Sequence, residues 1–60
     1  MTLLVHKIKS FKDVYKMTDW ILSAYSFVAK TDGKYFIQSR LIDDNTAEVK
    51  IFNNEFTNNN

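Results

Sequence analysis

The sequence is poor in the residues that cross-link a chain, bend it or coordinate metals. Its 60 residues include no cysteine, no proline, one glycine and one histidine. Without cysteine there is no disulfide framework, and one histidine alone cannot build a usual zinc site. One glycine cannot form a glycine-rich phosphate loop. So small a chain is near the lower limit for independent folding, and we expect association with itself or with another protein to stabilise it.

An excess of charge of one sign and a long apolar run are also missing. Eight Lys and Arg residues balance seven Asp and Glu residues, which argues against a strongly basic nucleic-acid binder. No apolar run approaches the roughly 20 residues that span a bilayer. The N-terminal segment MTLLVHKIK lacks the apolar core and cleavage site of a signal peptide. We therefore expect a cytoplasmic protein with no membrane partner, in the host cytoplasm if the protein is viral.

One long segment, residues 10–30, has the periodicity of a helix. Ser10 followed by Asp13 resembles a capping box and predicts that the helix begins at Phe11. Thr18 offers a second start signal, so a break near it is the alternative, but continuous periodicity favours one helix. The apolar positions that form one stripe of this helix are Val14, Met17, Ile21, Ala24 and Val28.

Three further segments have the character of β-strands. Residues 3–9 form the first, which has imperfect alternation, and residues 34–42 and 47–52 alternate between apolar and polar side chains. Gly33 predicts a left-handed exit from the helix before the second strand. The turn residues at 43–45 then predict a hairpin.

The order strand, helix, strand, strand predicts an α+β domain over residues 1–56. In this β-α-β-β arrangement one long helix packs on a small three-stranded sheet, antiparallel or mixed. The first strand could lie beside either of the other two, and both positions stay open. We predict a disordered, Asn-rich tail over residues 57–60.

A single helix covers only one face of such a sheet. Phe36, Ile42 and Phe52 then lie on the other face, with Leu4 and Ile8 if the first strand adopts that register. An apolar patch of this kind is typical of an interface, and the aromatic residues of the helix add further anchor types. The predicted protein-binding residues are Trp20, Tyr25, Phe27, Phe36 and Phe52.

Catalytic and metal-binding chemistry have few candidates. His6 lies on a predicted strand, and we interpret it as structural because nothing pairs it with a nucleophile. Asp43, Asp44 and Glu48 could hold a metal, but aspartates at a turn are favoured for their own backbone bonding. We predict a chain that is not an enzyme, with no catalytic residue, no metal and no cofactor.

A small single-stranded nucleic-acid-binding protein is the alternative interpretation. One strand mixes rings that could stack on bases with cations that could contact phosphates. The residues of this alternative site are Lys34, Tyr35, Phe36 and Arg40.

The segment Leu41-Ile42-Asp43-Asp44, followed by Glu48-Val49, resembles the C-terminal hairpin of the Dmd family. These are small antitoxins of T-even phages that block an RNase toxin of the host. Overall length, an N-terminal strand and an aromatic segment before the hairpin are similar in kind. The resemblance implies a phage-encoded inhibitor or antitoxin that occludes a host enzyme, and it assigns no functional residue. We therefore expect a non-enzymatic protein-binding module, with a self-associating homodimer of structural role as a further alternative.

Overall fold

A computed structural model describes residues 1–54 and confirms the α+β fold. The predicted boundary at residue 56 and the predicted tail at 57–60 lie outside the described residues. No helix within residues 1–54 combines the length and the apolar character needed to cross a membrane. The elements in chain order are β1 (Thr2–Ser10), α1 (Val14–Ala29), β2 (Tyr35–Asp43) and β3 (Thr46–Asn53).

The three strands form one antiparallel sheet in the order β1-β3-β2. β3 is therefore central, and β1 and β2 are the two edges. Ile51 of β3 lies between Val5 of β1 and Ile37 of β2. This register settles the open position of the first strand, which pairs with the third strand.

Helix α1 begins later than predicted. Its N-cap is Asp13, not Ser10, and the Asp13 Oδ1 accepts a 2.8 Å hydrogen bond from the backbone N–H of Tyr15. The predicted start at Phe11 is wrong because the turn between β2 and β3 holds this residue: the Phe11 N–H donates to the carbonyl oxygen of Asn45 at 2.8 Å.

The helix is continuous through Thr18, as the periodicity predicted. The Thr18 hydroxyl donates to the carbonyl oxygen of Val14 at 3.1 Å, one turn back. A threonine bonded in this way is accommodated inside a helix rather than capping a new one.

A threonine hydroxyl and two residues of left-handed backbone conformation follow the C-terminal end of α1. After Ala29, the Thr31 hydroxyl donates to the carbonyl oxygen of Val28 at 2.6 Å. Asp32 and Gly33 follow with φ of 57° and 84°, both in the left-handed region. The predicted left-handed exit at Gly33 is confirmed, and Asp32 shares it.

The core lies between α1 and the sheet. The helix packs on β2 and β3, and Met17 is its one buried residue. Val14, predicted on the same stripe, is the first residue of the helix and is exposed. The buried apolar residues are Met17, Ala47, Val49 and Ile51, of which the last three alternate along the helix-facing side of β3.

A bulge near the start of β1 determines which face of the sheet Leu3 occupies. The register shifts between Leu3 and Val5, so Leu4 is the additional residue. Leu3 lies opposite Phe52 and shares a face with it. The face opposite the helix therefore receives Leu3, beside Phe52, and Ile8, beside Glu48.

Candidate protein-binding surface

The side of the sheet that faces away from α1 is the candidate site, and we call it the open face. Alternation along each strand and the cross-strand pairs assign its members. They are Leu3, His6 and Ile8 of β1, Glu48, Lys50 and Phe52 of the central β3, and Phe36, Gln38 and Arg40 of β2.

One end of the open face is apolar. Phe52 lies in the central strand, directly between Leu3 and Phe36. The rings of Phe36 and Phe52 have centroids 6.2 Å apart at an interplanar angle of 47°, a favourable tilted contact. Leu3 and Phe36 are both exposed to solvent. This row forms a continuous apolar patch, which we call the aromatic patch.

The middle of the open face is an ion cluster that joins all three strands. The Glu48 carboxylate accepts a 2.6 Å hydrogen bond from Nε of Arg40 on one oxygen. Its other oxygen lies 2.7 Å from Nε2 of His6. The Glu48 side chain is only 9% exposed although no helix covers it. Its neighbours therefore both shield it and satisfy its two oxygens.

These contacts hold the pKa of the Glu48 carboxyl at about 2, against an ordinary value of 4.5. The hydrogen bond from Arg40 is the largest cause, and the contact with His6 is the second. Burial opposes both, because it disfavours the charged form. The nearby charge of Lys50 adds a smaller favourable contribution.

The lowered pKa predicts acid sensitivity. A carboxyl whose folded pKa lies below its unfolded pKa stabilises the fold fully above pH 4.5, and this contribution disappears as the pH falls toward 2. We expect the wild-type free energy of unfolding to decrease over that window, and Glu48→Gln to flatten the decrease. Urea denaturation at several pH values measures both slopes. Asp44→Asn, at an exposed turn residue, is the control and should retain the wild-type slope. An unchanged slope in Glu48→Gln would contradict the assignment.

Asp43 of the hairpin has a backbone role. Asp43 Oδ1 accepts from the N–H of Asn45 at 3.1 Å, the local bonding favoured at turns. Glu48 is engaged by the ion cluster instead of facing Asp43 or Asp44. Within the described part of the chain, no three acidic or histidine side chains form a group suited to a metal ion.

The five predicted protein-binding residues divide between the two sides of the sheet. Phe36 and Phe52 belong to the aromatic patch. Trp20, Tyr25 and Phe27 lie on α1, on the opposite side of the molecule. The structure therefore brings two of the five together and separates them from the other three.

Each of the three aromatic residues of α1 has a partner within the fold. The Trp20 ring lies 5.5 Å from that of Phe11, and Nζ of Lys9 sits over both rings. The Tyr25 hydroxyl is 2.9 Å from that of Ser39. Phe27 stacks on Tyr35 with centroids 6.0 Å apart. Tyr25 and Phe27 nevertheless stay exposed, whereas Trp20 is half-buried.

The four residues of the nucleic-acid alternative do not share one surface. Tyr35 and Phe36 are consecutive in β2, so their rings point to opposite faces, and Tyr35 stacks on Phe27 of the helix. Arg40 shares the open face with Phe36, but its Nε is bonded to Glu48. Lys34 precedes β2, outside the strand.

Comparison with known protein families, with curated proteins and with solved structures finds no match for this chain.

Proposed function

We propose that this chain is a non-enzymatic protein-binding module and that its open face is the binding surface. The observation that carries the proposal is the aromatic patch. Helix α1 and the buried core occupy one side of the sheet, while Phe36 and Leu3 remain exposed on the other. Apolar surface of this kind, rimmed by polar groups, is typical of protein interfaces.

The charges of the open face define the chemistry of the partner. One carboxylate, that of Glu48, stands among two cations, Arg40 and Lys50, so the open face carries a net positive charge. Lys50 is half-buried on the central strand, two residues before Phe52 and on the same face. A complementary partner therefore offers an apolar recess for the two rings with a carboxylate at its rim.

The mode of action that fits this surface is occlusion. The rings stand on paired strands, and the ion cluster ties the three strands together at the centre of the face, so binding needs little ordering of the chain. The only histidine of the sequence is engaged by Glu48, and within residues 1–54 it is not paired with a nucleophile. We place the module in the class of phage-encoded inhibitors or antitoxins that cover a host enzyme, in keeping with the resemblance of its hairpin.

Capture from a bacterial extract tests the proposal with three immobilised baits: wild type, Phe36→Ala and Leu22→Ala. Phe36 belongs to the aromatic patch, and Leu22 is an equally apolar, exposed residue on the outer side of α1. The protein retained by wild type is then purified and titrated against each bait by calorimetry. A hot spot costs at least about 2 kcal/mol, so Phe36→Ala should weaken the affinity by about 30-fold or more. Leu22→Ala should bind as wild type does.

Circular dichroism of each bait is the folding control. If folded Phe36→Ala binds the purified partner with wild-type affinity, the open face is not the binding surface. Loss of affinity in Leu22→Ala alone would assign binding to the helix.

A further inference from the structure

The β2 edge of the sheet exposes the backbone groups of alternate residues. The N–H of Asn54 donates to the carbonyl oxygen of Lys34 at 2.9 Å, just beyond the last pair of β2 and β3. Because bonded pairs alternate in an antiparallel ladder, the even-numbered residues of β2 bond to β3. The backbone groups of its odd-numbered residues, Tyr35, Ile37, Ser39 and Leu41, then point outward from the edge.

The two edges of the sheet differ in charge. β1 carries Lys7 and Lys9, both exposed, and lysines on an edge strand oppose pairing with another strand. β2 has no lysine, and its one cation, Arg40, is bonded to Glu48. The β2 edge also presents Leu41, which is 61% exposed, and the fold supplies no cover for it. Of the two edges, β2 is the one suited to pairing.

We propose that β2 pairs antiparallel with the β2 strand of a second copy of this chain, about a two-fold axis at Ser39. In this register Ile37 lies opposite Leu41 of the second copy, and Gln38 lies opposite Arg40. No like charges face each other, and the Gln38 amide oxygen can accept from the guanidinium. A shift that centres the axis on Arg40 would instead oppose two arginines. The register at Ser39 pairs residues 37–41 of the two copies, a stretch that ends before the irregularity between Leu41 and Asp43.

Pairing at this edge gives a continuous six-stranded sheet. The two-fold axis is perpendicular to the sheet, so both helices lie on one side and both open faces on the other. Tyr25, bonded to Ser39 above the edge, would approach the second helix, and its exposed ring would gain cover. This inference does not rest on the proposed function, since it uses the edge of the sheet and leaves the open face accessible.

Amide hydrogen exchange, followed by NMR on the wild-type chain, tests the inference without any substitution. Protein concentrations from about 1 μM to about 1 mM cover weak and moderate dimers. At the lowest concentrations, mass spectrometry replaces NMR for measuring the exchange. We expect the amides of Ile37, Ser39 and Leu41 to exchange fast in dilute samples and at least about tenfold more slowly in concentrated ones. The amides of Gln38 and Arg40, bonded to β3, should change little. Fast exchange of the odd-numbered amides at every concentration would overturn the inference.

Two matched substitutions identify the surface by sedimentation equilibrium. Leu41→Lys changes an exposed residue of the β2 edge, and Ile8→Lys changes one on β1 that is 57% exposed and belongs to the open face. We expect wild type and Ile8→Lys to dimerise and Leu41→Lys to stay monomeric. A dimer that Ile8→Lys disrupts and Leu41→Lys preserves would assign self-association to the open face and overturn the inference. A monomeric wild type would also overturn it, and the proposed binding of another protein would remain to be judged by its own test.

Discussion

Met17→Ala is expected to remove a large share of the free energy of unfolding of this domain. Met17 is the one buried residue of α1 and is 3% exposed, against the buried apolar row of β3. Truncating a buried methionine costs about 2–5 kcal/mol, because apolar contacts are lost and a cavity remains. At about 0.05–0.15 kcal/mol per residue, 60 residues have a total stability of about 3–9 kcal/mol. The loss is therefore comparable with the whole stability of the domain.

Urea denaturation followed by tryptophan fluorescence measures the effect. Leu22→Ala is the control on the same helix, because Leu22 is 57% exposed and its truncation should change the free energy of unfolding by about 0.5 kcal/mol or less. Equal effects of the two substitutions would contradict the packing of α1 through Met17.

Ile51→Ala is expected to destabilise the fold by about 2–5 kcal/mol, whereas Ile8→Ala should cost about 1 kcal/mol or less. Both residues are isoleucines of the sheet. Ile51 lies on the helix-facing side of the central strand and is buried; Ile8 lies on the open face and is exposed. The comparison therefore measures which side of the sheet is the core.

Thermal melting of the two variants at equal concentration provides the measurement. Ile51→Ala should lower the midpoint by many degrees, since about 1 kcal/mol shifts the midpoint of a domain of this size by about 4–8 °C. A larger loss in Ile8→Ala than in Ile51→Ala would show that the open face is buried in solution and would contradict the face assignment.

Helical periodicity predicted which side of α1 faces the sheet but not where the helix begins. Met17 and the three apolar residues that follow it on the stripe predicted the side of α1 that faces the sheet, because burial and the helical repeat agree there. The start of the helix could not be read in the same way. Ser10 and Asp13 are both good caps. The choice between them depends on a contact distant in sequence, the hydrogen bond from the Phe11 N–H to the carbonyl oxygen of Asn45.

The open face was predictable on β2 and only in part on β1. Alternation from Tyr35 placed Phe36 and Arg40 together, and it holds as far as Leu41. On β1 the bulge at Leu4 puts Leu3 on the same face as Phe52, and a bulge is set by pairing rather than by local sequence.

The ion cluster could not be found from sequence alone. His6, Arg40 and Glu48 come from three different strands, and they meet only because β3 is central. A sequence that leaves the position of the first strand open cannot place His6 beside Glu48. Glu48 occupies an ordinary polar position of an alternating strand, two residues before Lys50, so its local sequence gives no sign that the carboxylate is buried and partnered.

Protection from amide exchange in the complex with the captured partner tests the open-face proposal most directly. Many strand amides are already bonded within the sheet, so the measurement follows the additional slowing of the amides that lie beside the aromatic patch. Here we expect slower exchange around Leu3, Phe36 and Phe52 on binding, with rates along the outer side of α1, around Leu22, unchanged. Protection confined to α1, with the aromatic patch exchanging as in the isolated chain, would contradict the assignment of the binding surface.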